Sequence, residues 1–297
     1  MLNKLFRETC QIFKVRQCSQ RSGKNNWKNI GTIGKKIMNT DLIDLSASFY
    51  DKNSNLQNNL AKEVLKAYQV NPRAYILDVG CGDGKITLEL AKLAKEGKAL
   101  GIDSSPSMIQ FASTHFPKTD FPNLSFAKQK AEDITLPQQF DLITSFSCLH
   151  WIRNPELAFQ QLSASLKPGG EMLILTYPKE SPYYQYFEAV LKKYPEHQAL
   201  SAYNTMLSVE GYRDVLSKNN LDVLNFQQCD FIASYSNANE LKDFIKGWLN
   251  SYVPLPEDLH EQFLQDICQA VAEDPKAQDG DKTIIPYAAL IIRAKKN

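Results

Sequence analysis

The chain has 297 residues, 43% of them apolar, and its 34 Lys and Arg against 33 Asp and Glu leave a net charge of +1. That is enough apolar material for a substantial core, and the length suits one α/β domain with insertions. Six dispersed cysteines without a C-x-x-C pair and four histidines without H-E-x-x-H exclude a disulfide framework and an evident metal ligand set, and they fit a reducing cytoplasm.

Charge is uneven along the chain. Residues 1 to 38 hold nine of the 34 basic residues and a single acid, Glu8, which leaves 25 basic against 32 acidic residues in the remainder. The body is therefore mildly acidic, with no general pull toward nucleic acid. The leader reads as a mitochondrial transit peptide, as a basic arm for RNA or membrane, or as a disordered segment that is bypassed if translation starts at Met38. A catalytic domain is expected over 39–297. Near the C-terminus the longest apolar run, Tyr287 to Ile292, is too short to span a bilayer.

The stretch Tyr75-Ile76-Leu77-Asp78-Val79-Gly80-Cys81-Gly82-Asp83-Gly84-Lys85 predicts a buried strand, a glycine-rich turn and the start of a helix. Residues without a Cβ take φ > 0 at such a turn and leave room for a ligand against the main chain. The spacing is G-x-G-x-G, and Lys85 stands where a dinucleotide fingerprint has its third Gly. Asp78 and Asp83 would repel a pyrophosphate but suit a ligand carrying an ammonium and a sulfonium. This points to S-adenosylmethionine (SAM), with the strand-to-helix turn as the structural alternative for the three glycines and a small buried filler as the alternative for Cys81.

Downstream, Ala99 to Ile102 predicts a second strand ending in Asp103, nineteen residues past Gly84. An acid there accepts the ribose hydroxyls or caps the next helix, 104–116. A third strand, Leu124 to Lys128, leads to Ala131, Glu132 and Asp133, where Ala131 would lie along adenine and the two acids compete for its amine. The fourth strand, Phe140 to Ser145, runs out through Phe146 to Trp151, and Ser104, Met108 and Phe146 are expected to join the cofactor contacts. A helix over 155–166, a turn at 167–170 and a fifth strand from Glu171 to Tyr177 follow. Helices are then expected at 181–197 and 208–219, a sixth strand at 224–234, a helical insertion at 237–277 and a last strand at 283–294. Tyr183, Tyr184 and Tyr186 cannot share one helix face, so at most two of them would line a pocket.

This series resembles the seven-strand, Rossmann-like SAM-dependent methyltransferases. Within them it is similar to the carboxyl methyltransferases of the trans-aconitate and juvenile hormone acid type, from about Ser46 to Lys296. The segment Phe49 to Gln57, the run Leu149-His150-Trp151-Ile152, and the stretch from Glu240 through Pro256 carry the finer likeness. The resemblance implies a doubly wound α/β sheet with its last strand antiparallel between strands five and six, helices on both faces, and a helical cap from about 181–219 and 237–280. It also implies that Gln57 and Trp151 line the acceptor side. His150 either orients the acceptor or packs beneath the cap.

Methyl transfer is an in-line displacement that rests on positioning. A carboxylate acceptor is already ionised at neutral pH and needs no base, whereas an amine arrives protonated and wants one. Only Arg73, Arg153, Arg213 and Arg293 are available in the body, too few for a tricarboxylate pocket, and a monocarboxylic acid anchored by Arg153 or Arg213 suits the aromatic cap better. Another small-molecule N- or O-acceptor and a malonyl group on an acyl carrier are the alternatives. A nucleic-acid methyltransferase of the adenine type would carry Asn or Asp before Pro-Pro where this chain has Ser147 to His150, and a silent SAM-binding protein would show damaged cofactor motifs. No metal and no membrane span are expected, and the sequence leaves the oligomeric state open.

Overall fold

The apolar run after Arg73 forms β1 (Tyr75–Val79), whose last four residues are all buried, as expected of a strand covered on both faces. The computed structural model describes residues 55–297, with side chains from Asn58 onward. The basic leader and the segment Phe49 to Ser54 thus lie outside the described residues, as does the side chain of Gln57.

Around β1 the chain lays down β2 (Lys98–Asp103), β3 (Leu124–Lys128), β4 (Phe140–Phe146), β5 (Leu166–Thr176), β6 (Leu221–Tyr235), β7 (Gln278–Asp279) and β8 (Lys282–Lys296). They form one sheet in the order β3-β2-β1-β4-β5-β8-β6, with β7 pairing β8. β1 to β5 pair in parallel, and β8 runs antiparallel between β5 and β6 as expected. β7, two residues long, is a hairpin partner of β8 turned at Gly280, where φ is 62°. Strand order reverses between β1 and β4, and in such sheets the crevice for a ligand opens outside the carboxyl ends of those strands.

Period-two alternation gives the sheet two apolar faces. Ile76, Leu142, Leu173 and Leu175 pack toward α1 (Asn55–Lys66), α2 (Lys85–Leu93) and the cap. Leu77, Val79, Ile143, Met172 and Ile174 pack toward Phe159 of α4 (Pro155–Ser165) and Tyr212 of α7 (Val209–Lys218). α3 (Pro106–His115) follows β2 and buries Met108 and Ala112.

The cap differs in detail from expectation. The predicted helix at 181–197 is broken into α5 (Tyr184–Leu191) and α6 (Pro195–Gln198), because Pro195 has no N–H to continue the first helix and pushes Tyr194 out of the helical region, to φ −125° and ψ 61°. Tyr183, Tyr184 and Tyr186 are all buried, since Tyr183 precedes the helix and the three find separate partners: Trp248, Tyr252 and Asp274. α8 (Ala238–Lys246), α9 (Leu249–Tyr252) and α10 (Glu257–Ala272) complete the cap. β6 is longer than expected at fifteen residues and forms the sheet edge beyond β8.

Leu290 is fully buried and pairs with Thr176 of β5 and Gln228 of β6, at the point where β8 joins the antiparallel edge to the parallel half. Leu290→Ala should lower the unfolding free energy by about 2–5 kcal/mol in a urea titration. A loss below about 1 kcal/mol would show that β8 does not hold the sheet together.

Candidate active site

The turn after β1 is pinned to β2 through its backbone. Gly80 and Cys81 N–H both donate to the Ile102 carbonyl, at 2.8 and 3.0 Å. Gly80, Gly82 and Gly84 have φ of 72°, 51° and 83°. At Gly80 a Cβ would stand 2.3 Å from Cys148 Sγ, and at Gly84 one would stand 2.8 Å from the Phe126 ring and 2.9 Å from Ala112 Cβ. Positive φ and neighbouring atoms both demand glycine at these two positions.

The acids sort into distinct situations. Asp78 is buried, and its two oxygens accept from Thr87 Oγ1 at 2.7 Å and Thr144 Oγ1 at 2.8 Å, which ties β1 to α2 and β4. Burial pushes its carboxyl up to about 6, opposed by the two hydroxyls and reinforced by Asp103. Asp103 braces the turn: Oδ2 accepts from Gly82 N–H at 3.0 Å and Oδ1 from Ser105 N–H at 2.9 Å. The cap of α3 is Ser105, whose Oγ accepts from Met108 N–H at 3.2 Å, so neither Asp103 nor Ser104 has that role. Asp83 is buried and pairs with Lys85 Nζ at 3.2 Å.

A crevice open to solvent lies over the turn. Asp78, Gly80, Cys81, Gly82 and Phe146 line it among the expected residues, joined by Asn58 and Ala61 of α1, Asp83 and Ile86. Asn58 and Ala61 were missed by sequence reasoning, although their i,i+3 spacing on an amphipathic helix was available as a signal. Gly84, Asp103, Ser104, Met108 and Ala131 to Asp133 lie off this lining. Of the competing acids beyond β3, Glu132 is half-buried and Asp133 exposed on the turn Ala131–Asp133. The Cys148 thiol links the two regions: burial raises its pKa, and the nearby carboxylates of Asp103, Glu132 and Asp78 raise it further. The crevice is therefore rimmed by negative charge, an environment suited to a cationic ligand with hydroxyls.

At the carboxyl end of β4 the chemistry changes. His150 is buried, and burial lowers its pKa to about 3, so the ring is neutral. Its Nδ1 lies 3.3 Å from Thr176 Oγ1, which in turn lies 2.8 Å from the Tyr212 hydroxyl. Trp151 contacts the His150 ring at 4.3 Å and stacks on Trp248 of the cap at 5.4 Å. Tyr177, Tyr183, Phe187, Trp248, Tyr252 and Tyr287 extend this aromatic cluster. Trp248 stands 97 residues from Trp151, and no local pattern connects the two. Among the described residues no group of three His, Cys, Asp or Glu is arranged to hold a metal, and no helix is long and apolar enough to cross a membrane.

Residues 71–207 match a family model described as a methyltransferase domain. Protein 235L of Invertebrate iridescent virus 6 is 33% identical over 144 residues, 48% of this chain, which spans about half (52%) of the viral protein. Juvenile hormone acid O-methyltransferase of Drosophila melanogaster is 26% identical, over 84% of this chain and 92% of its own length. Trans-aconitate 2-methyltransferase of Variovorax paradoxus is 24% identical, over 86% and 99%. Among solved structures, YcgJ of Bacillus subtilis aligns with a TM-score of 0.59 at 17% identity, covering 81% of this chain and 99% of that one, a likeness of fold.

Gly80→Ala should cost about 2–4 kcal/mol of stability, from the left-handed backbone and the overlap with Cys148 together. In a double-mutant cycle with Cys148→Gly, thermal or urea unfolding should give a coupling of at least about 1 kcal/mol. Additive effects would show that the two positions do not press on one another.

Proposed function

We propose that this chain is a SAM-dependent methyltransferase that O-methylates a small monocarboxylic acid. The observation that carries this reading is the absence of a usable base among the described residues at the end of β4. His150 is neutral with a pKa near 3, and burial pushes Tyr177 up to about 12 and Tyr183, Tyr184 and Tyr287 well above the ordinary phenol value. An acceptor that arrives protonated finds no group there to deprotonate it near neutral pH, whereas a carboxylate arrives ionised. Both full-length relatives described above carry carboxylic acids in their names, which supports the same acceptor class.

The residues present fit the methyl donor. Gly80 and Gly84 leave the room that a Cβ would fill, Asp78 offers a buried negative charge, and Asp103 stands at the strand end where ribose hydroxyls would meet a carboxylate. Ala131 with Glu132 or Asp133 would bracket adenine, and Ser104, Met108 and Phe146 would complete the contacts. When bound, SAM supplies an electrophilic methyl group that the acceptor oxygen displaces in line.

What the chain itself contributes is orientation and exclusion of water. Trp151, roofed by Trp248 and Tyr252, would form the acceptor wall, and the family resemblance alone assigns Gln57 to the same side. The cap, over 181–219 and 237–280, would shelter the reaction, and an apolar surround favours a step in which anion and cation neutralise one another. Arginine usage favours a single carboxylate: Arg73 pairs with Glu96, Arg293 pairs with Glu171, and Arg213 is exposed and stacked on Phe226 at 3.8 Å. Among the described residues Arg153 alone of the four makes no such contact, too little for the three charges of trans-aconitate.

Release of S-adenosylhomocysteine should follow addition of monocarboxylic acids, and not of amines or phenols, and the methylated product should be cleaved by mild alkali. An alkali-stable product would overturn the carboxyl assignment. Asp103→Ala should weaken SAM binding, whereas Trp151→Ala should impair turnover with SAM affinity kept; equal loss of SAM affinity in both would remove Trp151 from the acceptor side.

The Asp78 carboxyl makes binding pH-dependent. Because its folded pKa lies above the free value, the folded state holds the proton more tightly, and the ligand-free protein loses stability as pH rises from about 4 to about 6. A cationic ligand requires the ionised form, so SAM affinity should rise by up to about tenfold per pH unit from pH 5 to 6 and level off above, with proton release on binding. Calorimetry in buffers of different ionisation enthalpy checks this. A flat profile from pH 5 to 7 would exclude Asp78 from the charge balance.

A further inference from the structure

Ser147 carries two burdens at once. It sits just past β4 with φ of 57°, in the left-handed region that glycine and asparagine enter more readily than serine. Its Oγ is buried and forms no full hydrogen bond among the described residues, only a weaker contact with the Tyr177 hydroxyl, a state that folded proteins seldom leave unexplained. The strand does not need the hydroxyl: the Ser147 N–H already continues the ladder to the Leu175 carbonyl at 2.8 Å, and glycine would relieve both burdens.

Its surroundings say what the hydroxyl is for. Phe146, one residue earlier, lines the crevice over the glycine turn, and Cys148, one residue later, fills the space that Gly80 leaves. Tyr177, at the matching end of β5, holds its hydroxyl close enough to Ser147 for the serine to counteract the effect of burial on the phenol. The Tyr177 ring meets His150 at 5.0 Å, Tyr287 at 6.2 Å and Tyr183 at 6.4 Å. Two hydroxyls thus stand at the seam between the charged crevice and the aromatic cap.

We infer that Ser147 and Tyr177 are positioning residues that form a neutral cradle for the acceptor carboxylate, each donating one O–H to it. This rests on the carboxylate reading above. Neutral donors orient an anion without cancelling its charge as a guanidinium does, so the attacking oxygen stays nucleophilic while its desolvation is offset. The cradle also gives the Ser147 hydroxyl a full hydrogen bond, which explains why a serine is kept in a backbone conformation that suits glycine.

Ser147→Gly and Tyr177→Phe should each raise the acceptor KM about ten- to hundredfold, the change expected when one hydrogen bond to a charged group is lost. The acceptor is whichever of octanoate, dodecanoate, cinnamate and indole-3-acetate the wild type esterifies fastest. SAM affinity should stay within about twofold, and Ser147→Gly should keep or raise the melting temperature, a combination that a merely structural serine would not give. If the wild type esterifies an acid and Ser147→Gly does so with unchanged KM, or loses SAM affinity in parallel, the cradle is overturned and the carboxyl reading stands. If the wild type esterifies none of these acids, the cradle falls together with that reading.

Discussion

The structure depends on one buried carboxylate. At the reversal of strand order, β1 and β4 lie side by side while their following helices depart to opposite faces, and the gap between them has to be both held and left open. Asp78 holds it, since its two oxygens take the hydroxyls of Thr87 on α2 and Thr144 on β4. A carboxylate oxygen has more than one lone pair, so the brace does not exhaust its capacity. What remains is a buried acid whose ionised form is costlier than in water and is stabilised when a positive charge arrives.

Electrostatics divides the site in two. Over the glycine turn, Asp78, Asp103 and Glu132 act together on the Cys148 thiol, so the negative field converges where the crevice opens. Past Ser147 the charged groups give way to aromatic rings, and the one histidine there is neutral. A cation on one side and an anion in an apolar surround on the other would each be favoured by its own half, and the reaction between them removes both charges. On the proposed reading the same division would make a base dispensable, because the aromatic side holds no group that is both buried there and basic near neutral pH.

Local signals in the sequence were sufficient for the parallel half of the fold. The apolar runs, the glycine spacing and the acid ending β2 all depend on neighbours within about twenty residues, and β1 to β4 appear where those signals stand. β5 instead begins at Leu166 and takes in the expected turn over 167–170 as an irregularity in its pairing with β4. The helix expected at 208–219 appears within one residue at each end, as α7, and Ser208 caps it by accepting from Gly211 N–H. The cap was legible only as helical. Pro195 signalled a break that aromatic periodicity concealed, and the burial of three tyrosines around α5 follows from partners as distant as Trp248 and Asp274. In the same way, the acid at position 78 was readable, but the threonines that hold it and partly offset its burial were not, because one of them is 66 residues away.

The left-handed serine after β4 shows how such distant constraints meet at one residue. Cys148 must turn back to fill the space beside Gly80, and Phe146 must face the crevice, so the residue between them has to reverse the chain direction sharply. Glycine would do this at the least conformational cost in the folded state, yet it would leave the loop free in the unfolded chain and the seam without a polar group. A serine accepts local strain and keeps a hydroxyl at the boundary where charge gives way to apolar surface. Strain retained at such a boundary is more economically explained by a ligand than by packing, since the neighbouring side chains already satisfy the packing.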